Sequence, residues 1–124
     1  MTTSQPLIGI PCRHDRSGRP FDAVAMQPAV VLSVNQDWRP GNPRGGRYVW
    51  LYQPTQRLLY YYAHLGEVAV RPGDVVPRGG RLGTVGKTGF PARHAHHPCH
   101  IHLMVLRPAG GDMVPVNWFR WFEK

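Results

Sequence analysis

Acidic residues, cysteines and long apolar runs are all scarce in this sequence, and each scarcity narrows what the chain can be. Seven Asp and Glu stand against fifteen Lys and Arg, a formal charge of +8 with His neutral. That balance favours a polyanionic partner such as nucleic acid, an acidic membrane surface or an acidic cell-wall polymer. The arginines Arg13, Arg16, Arg19, Arg39, Arg44 and Arg47 scatter through turns without forming a stripe. No nucleic-acid motif accompanies them, so nucleic acid is not expected as a partner. Two cysteines, Cys12 and Cys99, permit one disulfide but no disulfide framework, and whether they pair is left open. No stretch approaches the roughly 18 apolar residues of a membrane-spanning helix. The start "MTTSQPLIGIPC" lacks the basic region and apolar length of a signal peptide.

Also missing is any breaker-free window long enough for a sizeable helix, because 14 Gly and 13 Pro punctuate the 124 residues. What remains reads as strands and turns. A strand is expected around Phe21 to Ala25, a turn at Gln27 and Pro28, and a β-branched strand from Ala29 to Val34. "RPGNPRGGR", Arg39 to Arg47, is a loop by composition. Strands Tyr48 to Tyr52 and Leu58 to Leu65 follow as a hairpin. The finely divided stretch "VAVRPGDVVPRGGRLGTVGKTG" suggests small hairpins, and "CHIHLMVL" a strand ending at Pro108. The tail "VNWFRWF" reads as a helical turn or edge segment whose aromatics close the core. The expected fold class is all-β, a single antiparallel domain built as a folded sheet or sandwich.

Five histidines and one cysteine crowd the stretch from His94 to His102. On an extended strand alternate side chains share a face, so His100 and His102 point together and Cys99 points away as a packed thiol. By the same period Tyr62 and His64 share a face on the earlier strand. Two imidazoles on a rigid strand are a usable half of a metal or acid/base site. Polar rings on an apolar strand are costly unless partnered, which separates this pair from an incidental one. His94, His96 and His97 read as loop residues exposed to solvent.

The order of motifs resembles that of the M23 zinc metallopeptidases, the lysostaphin or LytM type that cleaves peptide cross-bridges in peptidoglycan. Y-x-H-L at Tyr62 to Leu65, G-D-x-V at Gly73 to Val76, L-G-x-V-G-x-T-G at Leu82 to Gly89 and H-x-H-L at His100 to Leu103 carry the resemblance. "GRPFDAVAMQPAVVLSV" is similar to the family's Gly-x-Pro-Val hairpin, which extends the likeness from about Gly18 to Val105. The resemblance implies a LytM-like fold over 18–124 behind an atypical segment, 1–17. It also implies that His102 is a zinc ligand and that His100 and His64 flank the attacking water as general base and transition-state stabilisers.

The family's other two ligands come from an H-x₃-D motif upstream of the hairpin. Here the matching positions fall near Ile8 and Cys12, and no H-x₃-D occurs in "SQPLIGIPCRHDRSGRP". His14 and Asp22 as a loosely spaced replacement pair is one solution; an N-terminally shortened version of the family is another, and the one favoured. Two functions follow: a zinc-dependent peptidoglycan endopeptidase, or a catalytically impaired M23-like binding or regulatory module. The bland third reading is a basic β domain with incidental histidines. With peptidoglycan peptides as the partner, the expected location is the cell envelope or the extracellular space.

Overall fold

The computed structural model describes residues 20–37, 46–86 and 102–117. Among them lie eight strands and no helix: β1 (Asp22–Val24), β2 (Ala29–Asn35), β3 (Arg47–Gln53), β4 (Leu58–Val68), β5 (Val75–Val76), β6 (Arg81–Val85), β7 (His102–Ala109) and β8 (Asp112–Pro115). All pair antiparallel in one sheet of order β1-β6-β4-β3-β2-β5, with β7 on β4 and β8 on β7. The expected all-β domain is therefore a single curled sheet and not two stacked ones. Its core draws on nearly every strand, with Ala23, Ala29, Val31, Val49, Leu51, Tyr60, Tyr62, Leu65, Val76, Leu82, Leu103 and Val105 all buried.

The β3–β4 hairpin forms where apolar alternation predicts it. Its turn, Pro54 to Arg57, is tied by the Gln56 N–H donating to Gln53 Oε1 at 2.6 Å. The Pro- and Gly-rich stretch that follows behaves differently from the expected small hairpins. β5 and β6 do not pair with each other; β5 joins β2 at one edge while β6 joins β1 and β4. G-D-x-V makes the first attachment: Gly73, at φ +93°, donates to Val31 O, and Val31 N–H donates to Asp74 O. A positive φ of that size suits a residue with no Cβ.

β7 runs on through Pro108 to Ala109 instead of ending at the proline. Past Leu106 it has left β4 and pairs β8 alone, an edge setting in which a residue without an N–H is tolerated. Gly110 and Gly111, at φ +57° and +87°, close that hairpin. Paired positive φ values match the primed turns that suit strand twist. Beyond β8 the Val116 N–H donates to Val105 O. The aromatic tail from Trp118 onward lies outside the described residues, as does Cys99.

Candidate active site

The sheet has a core face and an opposite face, and strand period assigns most side chains without ambiguity. Tyr60, Tyr62, Leu103 and Val105 are buried in the core, which leaves Tyr61, Ala63, Met104 and His102 on the opposite face. Across β4 and β7, Ala63 stands directly opposite His102 and Tyr61 opposite Met104. Tyr61 also faces Trp50 on β3.

Simple alternation puts His64 on the same face as Tyr62, as expected from the sequence, and with Tyr62 buried that face is the core. The structure places it otherwise. Val49 pairs with Tyr62 and Arg47 with Leu65, so Ala63 and His64 together oppose the single residue Tyr48. This is a β-bulge, and one extra residue moves a side chain to the other face. His64 sits at φ +62°, and its ring stacks on that of His102, with centroids 6.2 Å apart and planes 12° from parallel. Tyr62 stays in the core, 2% exposed, where its hydroxyl accepts the Met26 N–H at 3.0 Å. Burial pushes the Tyr62 phenol well above the usual tyrosine range.

Why β4 breaks period here is visible in its neighbours. Its first half lies between β3 and β7, and its second half passes to β6. A second slip accompanies that change of partner, because Leu65 pairs with Val85 and Glu67 with Thr84, leaving Gly66 extra. The L-G-x-V-G motif provides the close approach. A Cβ on Gly83 would run into the Glu67 carbonyl, and one on Gly86 into the backbone of Gly66. A Cβ on Gly66 itself would meet Thr84 Oγ1 at 2.7 Å.

Beside the histidines runs an aromatic row that sequence reasoning did not single out. Tyr61 meets His102 edge-on at 6.3 Å between centroids, Trp50 at 4.5 Å and Tyr48 at 5.6 Å. The signal was present as aromatics at alternate positions 48 and 50 and at 61, but joining them requires the β3–β4 register. Burial, and secondarily the nearby Tyr48, push the Tyr61 phenol up, so it remains a neutral hydroxyl at ordinary pH.

Of the residues singled out in the sequence, His64 and His102 thus come together from separate strands. His100, with His94, His96, His97, His14 and Cys12, lies outside the described residues. Asp22 is on β1, where its carboxylate takes the Arg81 guanidinium at 2.9 Å. Arg81 also reaches Glu67 at 2.9 Å, bridging β1 to β4 across β6. Among the described residues no three His, Cys, Asp or Glu side chains gather as a metal-binding group. A catalytic zinc needs three protein ligands and an open position. His102 and its neighbour His64 bring two imidazoles together, short of such a set among the described residues.

The chain is similar to the lytM protein of Ruminococcus gnavus ATCC 29149, at 28% identity and TM-score 0.65, covering 86% of this chain and 42% of that one. It therefore spans less than half of that relative's length. It shares its fold with the catalytic domain of the antimicrobial peptidase lysostaphin from Staphylococcus simulans, at 18% identity and TM-score 0.63, covering 85% of this chain and 72% of that one. The same holds for a zinc containing peptidase from Vibrio cholerae, at 22% identity and TM-score 0.56, covering 86% and 33%. Comparison with curated proteins gives no match. The model of peptidase family M23 matches residues 15–116, which is most of the chain, its sheet and both placed histidines; the chain belongs to that family.

Proposed function

We propose that this chain is a zinc-dependent endopeptidase domain acting on peptidoglycan peptides, with His102 as a metal ligand and His64 and His100 as the acid/base groups beside it. The observation that carries this reading is the His64–His102 pair. Two imidazoles that strand period would separate are brought to one face, 6.2 Å apart, by a bulge. A bound zinc ion would supply Lewis acidity at the scissile carbonyl. His64 is suited to hold a proton taken from the attacking water and to donate a hydrogen bond to the developing oxyanion. Tyr61, edge-on to His102, restricts how that ring can turn. The opposite face of the sheet offers an extended peptide a floor of strands, and the net charge of +8 suits an anionic wall polymer. Such a substrate puts the site of action in the cell envelope or outside the cell.

Among the described residues no helix is long and apolar enough to cross a membrane. The test is digestion of purified peptidoglycan with added zinc. Soluble peptides should appear with the wild-type chain and not with His102→Ala.

A second reading is favoured by one feature of the sequence. The positions that would carry H-x₃-D hold Ile8 and Cys12, and Asp22, the other carboxylate considered, is engaged by Arg81. On that reading the chain is an M23-like module that binds wall peptides without cleaving them. Co-sedimentation with peptidoglycan that is equal with and without zinc, and release of no peptides, would support it over the peptidase.

A further inference from the structure

The left-handed backbone at His64 needs a cause. Left-handed φ in a bulky residue persists only where the surroundings over-determine it. Ala63 before it and Leu65 after it are both 0% exposed, so the chain enters and leaves the bulge through buried positions. Beyond Leu65 the backbone is out of register. Gly66 is the extra residue against β6, and on the other side the β3–β4 ladder ends at the Arg47–Leu65 pair. The Gly66 carbonyl therefore lies past the last ladder position of β3. The Arg47 side chain reaches it, with Nη1 donating to Gly66 O at 3.0 Å. Its Nε donates to Gln36 O, just past β2, also at 3.0 Å. A guanidinium is a planar fork of donors, so fixing one arm fixes the direction of the other.

We propose that Arg47 is a positioning residue: by clamping the Gly66 carbonyl to the end of β2 it holds the bulge that turns His64 toward His102. Its consequence for catalysis rests on the peptidase reading above, whereas the placement itself does not. In this role Arg47 acts through the backbone of β4, at the Gly66 carbonyl. A lysine carries its three donors on one rotatable nitrogen and cannot reproduce the fixed two-armed geometry of the guanidinium. Methionine preserves much of the apolar stem and removes the donors.

Imidazole-resolved NMR tests the placement without any turnover. In the wild-type chain, ring protons of His64 and His102 should show a mutual NOE, and the Arg47 Nε–H should exchange slowly. In Arg47→Met the His64–His102 NOE should vanish, while contacts between Met26 and Tyr62 and between Val49 and Tyr62 persist. Arg47→Lys should restore it only in part. If the wild-type chain digests peptidoglycan, kcat of Arg47→Met should fall about 100-fold with KM little changed, the size of effect expected for a small misplacement of a catalytic group. An intact His64–His102 NOE in folded Arg47→Met would overturn the proposal. So would an Arg47 Nε–H in the wild-type chain that exchanges as fast as free guanidinium, a result independent of whether any variant folds. A wild-type chain without activity but with these NMR signatures would retire the peptidase reading and leave the clamp in place.

Discussion

Two core tyrosines, two residues apart on β4, separate the effects that a buried hydroxyl can have. Tyr62 accepts the Met26 N–H, so Tyr62→Phe removes a partner from a part-buried donor and should cost about 1–2 kcal/mol. Tyr60 is 1% exposed and its hydroxyl has no hydrogen-bond partner among the described residues. Tyr60→Phe removes an unsatisfied polar atom and should leave the melting temperature unchanged or raise it. Thermal unfolding of the two variants side by side checks the contrast. His64 combines a backbone cost with the acid/base role proposed for it. Its left-handed φ costs roughly 1–3 kcal/mol, and Asn tolerates that region better than most residues. His64→Asn should therefore fold as well as the parent while losing about 100- to 10,000-fold in the rate of peptide release, the usual range for a lost acid/base group. Retained activity in that variant would remove His64 from the mechanism.

At the scale of elements, β4 organises the site. One strand carries core residues, the bulge and the change of partner from β7 to β6. Its close packing on β6 depends on Gly83, where a methyl group would collide with the Glu67 carbonyl. Gly83→Ala should cost about 1–3 kcal/mol, as overpacking does, and should displace the second half of β4, including His64. Urea unfolding measures the first effect and the His64–His102 NOE the second. The strands themselves were legible in the sequence, because alternation in "YVWLYQ" and "LLYYYAHL" has only one register that buries Val49, Leu51, Tyr60 and Tyr62. The candidate site was legible in part. The motif order named His64 and His102, but their convergence was hidden, since alternation alone assigns His64 to the Tyr62 face. A bulge is a property of two strands paired together, and neither Arg47 nor Tyr48 signals it locally. The aromatic row was hidden for the same reason.

For the molecule as a whole, one sheet supplies both the core and the candidate site, so stability and function are coupled through a single layer. The phenols of Tyr60, Tyr61 and Tyr62 are all pushed up, by burial first in each case. A folded-state pKa above the unfolded value near 10 means that stability is fully present below about pH 10 and drains away as pH rises beyond it. Melting temperature should therefore be flat on the neutral side and fall in alkali, with a shallower fall in Tyr62→Phe. The central claim is that His102, with His64 beside it, belongs to a working zinc centre. Zinc content per chain after exhaustive dialysis, measured for the wild-type chain and His102→Ala, tests it most directly. The account predicts close to one zinc per wild-type chain and little in the variant; wild-type stoichiometry near zero, or equal retention by both, would contradict it.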